Sequence, residues 1–230
     1  MLLHAPGERA LSTRGDTRPG QEGREDEMKY YKFLTAENKG KYSNYDFTKY
    51  LPNGDKPGKW MRKIENPVMC KNGYHCFAPE YILDWLEAQL YEVEIKGNCI
   101  DGDTKTVAQR MRFIRKIDTW NDKSALLFTC WCAEQVLQIY EKEYPNDDRP
   151  RKAIETARRF AEGKATAEEL AAASDAARAA AWAADRAAAR AAARAAPRAA
   201  ERAAERAAAW AAARAAQTKH LLDMLGIGED

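Results

Sequence analysis

The sequence has little that would direct it to a membrane, a disulfide framework or a strongly charged partner. No long apolar run occurs in its 230 residues, because the alanine-rich tract near the C-terminus is broken by Arg at about every fourth position. Nothing fills the roughly 20-residue apolar span that a bilayer helix needs, so membrane insertion is not expected. Met1 to Ala10 carry charges, His4, Pro6 and Gly7 in place of the apolar centre of a secretory signal. Cysteines are five, an odd and scattered set, and the expectation is a cytoplasmic protein with reduced thiols. An excess of one charge is also lacking. Lys and Arg total 37 against 35 Asp and Glu, a net +2, which gives no strong pull toward nucleic acid. The alanine tract has no regular Thr row, which removes an ice-binding reading.

What is present is a ladder. Arg178, Trp182, Arg186, Arg190, Arg194, Arg198, Arg202, Arg206, Trp210 and Arg214 stand four apart, with alanine filling most gaps. Alanine is the best helix former and permits close packing. A helix turns about 100° per residue, so steps of four drift around a straight rod. Pro197 sits near the middle, where its missing N–H and its ring disfavour a continuous helix. Two segments, about 167–195 and 198–225, are therefore predicted, each with an Arg stripe opposite an alanine face. Alanine faces bury little area, so Trp182 and Trp210 are expected to supply the large buried pieces. Asp175, Asp185, Glu201 and Glu205 dilute the positive field, which makes the stripe a solvated or protein-facing surface before a phosphate groove.

Ahead of the ladder, residues 1–27 are rich in Gly, Pro and charge and are expected to lack a fold. Residues 29–34 read as a first strand, and 35–60 as turn-rich. Pro79 to Leu90 reads as a helix with Ile82, Leu83, Trp85, Leu86 and Leu90 on one face. Tyr91 to Ile95 alternates as a strand ended by Gly97. The stretch 104–117 fits a strand or a helix. Ala125 to Tyr140 is a strongly apolar helix. Asp147 or Asp148 would cap the next one, which carries Pro150 in its first turn and stops at Gly163. Thr166 and Glu169 have capping-box spacing.

Chemistry-bearing residues are few. Cys70, His75 and Cys76 lie within CKNGYHC, but two cysteines six apart with no second pair are not zinc spacing. His75 and Cys76, adjacent on a strand, would point to opposite faces. Cys130 and Cys132 on the apolar helix read as packing. His220 reads as a surface or capping residue. Tyr30, Tyr31, Tyr42, Tyr45, Tyr50 and Trp60 make the N-terminal part aromatic, either as core or as a platform for a planar ligand.

Two resemblances follow. The run FTCWCAEQVLQIYEKEYPNDDRPRKAIETARRFAEGK with the alanine-rich helices after it, about 124–225, is similar to the bacterial "putative immunity protein" family. That likeness implies a protein partner, a toxin or other defence component. The front half, with CKNGYHCF and then LYEVEIKG, resembles a small bacterial and phage domain of unknown function, and more faintly the ADP-ribosyltransferase fold. There Gly73, Tyr74 and His75, then Glu92 to Gly97, fit the outline, while Lys32 stands where those enzymes place Arg or His, and no convincing Gln-x-Glu or Glu-x-Glu carries their catalytic carboxylate. The fold class expected is α+β: a small α+β domain over 28–120, then an alanine-rich all-α helical bundle over 124–225 and a tail over 226–230. The function expected is non-catalytic protein binding without a cofactor, through the aromatic domain or through Arg186, Arg190, Arg194, Arg202 and Arg206, with homo-oligomers open. The second reading is a nucleotide-binding domain taking NAD at Tyr31, Lys32, Tyr74 and His75, with Glu92 or Glu94 as the carboxylate.

Overall fold

The computed structural model describes residues 28–176, 178 and 199–227, with 199–207 as backbone. The chain divides into two compact units, 28–87 with 91–116, and 88–90 with 117–227. An antiparallel sheet over 30–116 and helices over 122–225 make the class α+β.

Among the described residues, four strands form the sheet: β1 (Tyr30–Leu34), β2 (Tyr74–Cys76), β3 (Gln89–Asp101) and β4 (Thr106–Lys116), in the order β1-β3-β4-β2. β3 and β4 pair antiparallel from Tyr91↔Lys116 to Asp101↔Thr106, and β2 lies antiparallel to the first residues of β4. Tyr31 and Phe77, just past β2, exchange both backbone bonds, at 2.8 and 2.9 Å. The sheet thus curls until its outer strands meet. Where β2 ends, residues 58–64 take over the edge of β4. Gly58, Met61 and Ile64 donate N–H groups to the carbonyls of Phe113 (2.8 Å), Met111 (3.0 Å) and Gln109 (3.0 Å). Backbone groups that a free edge would leave unpaired are satisfied here.

Period-two alternation fills this unit. Tyr91, Val93, Met111 and Phe113 are buried, while Glu92, Glu94, Arg110 and Arg112 between them are only partly covered. With Leu34, Phe47, Met61 and Cys76 they form one cluster. The Phe113 ring meets Phe47 and Tyr91 edge-on, with centroids 5.6 and 5.2 Å away, the geometry the aromatic quadrupole favours.

Two sequence expectations are corrected here. The stretch 79–90 is a short 3-10 turn, Pro79–Asp84, and only Ile82 of it is buried. The Trp85 indole N–H donates to the Thr104 carbonyl (2.8 Å), and β3 begins at Gln89. An apolar spacing that suits a helix here belongs partly to a turn and partly to a strand. Gly97 does not end β3. The strand passes through it at φ +88 with an irregularity between Lys96 and Cys99, and a Cβ there would lie 2.5 Å from the Gln109 side-chain oxygen. Glycine is what lets the strand bulge past Gln109. The open choice over 104–117 resolves to a strand.

In the second unit, α1 (Asp122–Glu143) starts with a reciprocal cap. Ser124 N–H donates to the Asn121 side chain (3.1 Å), and Asn121 N–H to the Ser124 hydroxyl (2.9 Å). α2 (Arg149–Ala161) has Pro150 in its first turn. Asp148 occupies the cap position without a side-chain bond, and Asp147 instead accepts from Arg149 N–H (3.2 Å). α3 (167–176) opens on the Thr166–Glu169 box, with bonds of 2.8 and 3.2 Å. α4 (Ala199–Leu225) closes at Gly226, where Ile227 N–H reaches the Leu222 carbonyl (3.0 Å), a Schellman end. α1 and α2 pack through Phe128, Cys130 and Leu137 on one side and Ala157 on the other. Leu221 and Leu225 of α4 are buried, and Thr119 donates to the Leu225 carbonyl (3.2 Å).

The tryptophan expectation fails at Trp210, which is 67% exposed beside the Arg214 guanidinium, 5.6 Å from its ring centre. Trp182 and Pro197 lie outside the described residues. His220 is not a free surface residue: its ring stacks on Trp131, with centroids 4.0 Å apart. Among the described residues, no helix is long and apolar enough to cross a membrane.

Candidate functional site

Lys32 and His75, singled out from sequence, are brought together. The Lys32 ammonium donates to the His75 carbonyl (2.7 Å) and lies 5.1 Å from the Phe47 ring centre. Burial pulls this amine down to about 8. The His75 Nε2 accepts from the Cys70 backbone N–H (3.0 Å), and Cys70 is held at φ +62. Only a neutral imidazole can accept there. Burial, with the positive charges of Lys32 and Lys105, pushes His75 down to about 4. Cys76 is buried on the other side of β2, and desolvation drives its thiol well above the usual range. These groups hold the CKNGYHC loop in shape. They do not form a nucleophile–base pair, since the thiol stays protonated and the imidazole acceptor is occupied.

The remaining residues of that set are dispersed. Tyr31 is 1% exposed and sits in the core. The Tyr74 hydroxyl donates to the Arg62 carbonyl (2.8 Å). Glu92 and Glu94 share a face and each meets an arginine of β4: Arg115 Nε lies 2.8 Å from Glu92, and Arg112 Nε 2.6 Å from Glu94. The charges felt by His75 are both cationic, from Lys32 and Lys105.

One constellation escaped the sequence reading. Arg110 and Arg112, two apart on β4, both lie on the Trp60 ring, 5.4 and 4.8 Å from its centre. Arg110 Nε also donates to the Met61 carbonyl (3.4 Å). Trp60 was visible as an aromatic, but its arginine partners sit on β4 and meet it because the 58–64 segment runs beside that strand, a placement no local pattern encodes.

In the helical unit, α1 and α2 are stitched by two-point arginine–carboxylate bonds. Arg158 holds Glu134 (2.8 and 2.7 Å), and Arg151 holds Glu141 (2.7 and 2.8 Å). In the connecting loop Asp147 binds Arg149 at 2.7 and 2.6 Å and accepts from the Tyr140 hydroxyl (2.8 Å). Arg149 first, then Tyr140, hold the Asp147 carboxyl far below the usual range. The WCAE run supplies Glu134 and the YPNDDRPRKAIE run supplies Asp147, Arg149 and Arg151, while Glu141 and Arg158 lie just outside them. Arg186, Arg190 and Arg194 lie outside the described residues; Arg202 and Arg206 fall on α4, with their side chains outside the description.

Residues 115–225 match the family model described as "Imm-5 like putative immunity protein". The matched stretch takes in the end of β4 and, among the described residues, the helices α1 to α4. Comparison with curated proteins gives no match, and comparison with solved structures gives none. The likeness to an immunity family therefore holds for the helical unit, and the sheet unit stands on its geometry.

Proposed function

We propose that this chain is a non-catalytic, immunity-type protein that acts by binding a protein partner, a toxin or another component of a defence system. The observation that carries the reading is the family match over 115–225. It is supported by the state of the reactive groups in the sheet unit. His75 spends its acceptor on Cys70, Lys32 spends a proton on a backbone carbonyl, and Glu92 and Glu94 are each paired with arginine. Such groups stabilise a scaffold and leave little for acid–base work.

Growth rescue tests the reading. Bacteria producing toxins from competition systems of the source genome are co-supplied with the full chain, and survival is scored alongside copurification. One toxin neutralised and retained in a complex of fixed stoichiometry is the expected outcome. Rescue by no toxin, with the chain soluble and folded, would sink the proposal.

A further inference from the structure

The sheet unit carries a surface on which two arginines lie among tyrosines and a tryptophan. Tyr74 fixes Arg62 by its carbonyl (2.8 Å), and the Arg62 side chain is exposed. Arg110 lies on Trp60 with its Nε on a backbone carbonyl. Among the described residues neither guanidinium has an ion pair, whereas the neighbouring Arg112 is paired with Glu94. Lys49 lies 5.0 Å from the Tyr50 ring centre, and Tyr45 is exposed. Asp46, the carboxylate beside Tyr45, is turned onto the Thr48 amide (2.8 Å).

We propose that Tyr45, Tyr50, Trp60, Arg62, Tyr74 and Arg110 form a docking surface for a carboxylate-rich polypeptide segment of the partner. The partner's being a protein rests on the reading in the preceding subsection. Two observations select the chemistry. Guanidiniums that have no carboxylate of their own are complemented by groups that only accept, and ionised carboxylates are such groups, matched two-to-two by the guanidinium fork. Tyr, Trp and Arg are also the residue types that concentrate binding energy at protein interfaces. A single-stranded nucleic acid would instead stack its bases on bare aromatic faces. Here two guanidiniums lie on the Trp60 ring, and the Tyr45 ring stands edge-on to Phe47 at 4.8 Å.

The test titrates the full chain into fluorescein-labelled poly-L-glutamate and, separately, labelled oligo-dT, at low salt, with anisotropy as readout. Saturable binding of poly-L-glutamate is expected, weaker by at least tenfold for Arg62→Glu and several-fold for Tyr45→Ala. Lys152→Glu, on α2, serves as the control and should bind as the parent does. Both surface variants alter exposed side chains, and a melting curve checks that they fold. Three results overturn the proposal: no binding of poly-L-glutamate, binding that Arg62→Glu leaves intact, or tighter binding of oligo-dT that the same variant abolishes. Failure here is separable from failure of the immunity reading. Rescue by the parent chain tests that reading, and variants of a single face test this one.

Discussion

The two units solve the same problem with opposite materials. The sheet unit buries large rings, Phe47, Tyr91 and Phe113 among them, in one cluster bounded by a curled sheet. The helical unit has few large buried side chains in its described part, and leans on helix caps, arginine–carboxylate seams and the stacking of His220 near the end of α4 on Trp131 in the middle of α1. The difference follows from side-chain size. Aromatic rings remove much apolar surface from water in few positions, whereas alanine contributes little burial but disturbs the helix least. The lesson is that a large side chain has the value its surroundings give it: Phe113 is fully buried and Trp210 is two-thirds exposed.

That contrast can be broken or sharpened by substitution, beginning with its strongest element. Phe113→Ala should cost about 3–5 kcal/mol, read as a lower urea midpoint of the aromatic circular dichroism signal. A cost below about 1 kcal/mol would show that the ring cluster does not hold the sheet unit. Acid is the next lever. His75 is neutral when folded, with its pKa near 4 against about 6.5 when unfolded. The unfolded chain then binds the extra proton between those values, so stability is fully present above about pH 6.5 and falls as pH drops toward 4, by less than the full shift because solvent screens the half-buried ring. His75→Gln should flatten that part of the pH–stability profile, and Lys32→Met should move the His75 titration upward in a proton NMR experiment, because a repelling charge is gone. A His75 that titrates near 6.5 in the parent chain would refute the assignment.

Smaller effects belong to the helices. Asn121→Ala removes the α1 cap and should cost about 1 kcal/mol in thermal unfolding. Trp210→Ala, although it deletes the largest side chain on the described part of α4, should change stability by less than about 0.5 kcal/mol. A drop comparable with Phe113→Ala would mean that Trp210 is buried against a partner in solution. The smallest expected effect is none: millimolar NAD should leave the melting temperature of the chain unchanged. A dose-dependent rise would revive the nucleotide reading, since saturating binding must stabilise the folded state.

Much of the helical unit could be read locally, because caps and stops are short-range chemistry. The Thr166–Glu169 box and the Pro150 start follow from spacing alone. The alternation of Tyr91, Val93 and Ile95 likewise announces a strand. What could not be read is long-range. Ile82, Leu86 and Leu90 fit a helical stripe, yet β3 claims Leu90, since a sheet partner outweighs local preference. Gly97 looks like a stop until Gln109 is known to lie against it. His220 has no sequence neighbour that announces Trp131. The arginine–aromatic surface was half visible: the tyrosines and Trp60 stand out as a group, but Arg62 and Arg110 join them only through the pairing of residues 58–64 with β4.

The bridge between Tyr31 and Phe77 has a consequence for how the chain is made. β1 is among the first described residues to leave the ribosome, yet its neighbours are β3 on one side and Phe77 on the other. It must wait, unpaired, while the intervening chain is synthesised at about 5–20 residues per second, and the ring cannot close until β4 has emerged as well. The apolar residues of β1, Phe33 and Leu34, are therefore exposed for several seconds of every synthesis. Slowing translation ahead of β4 should therefore lower the soluble yield more than slowing it within the helices, which form from contacts close in the chain.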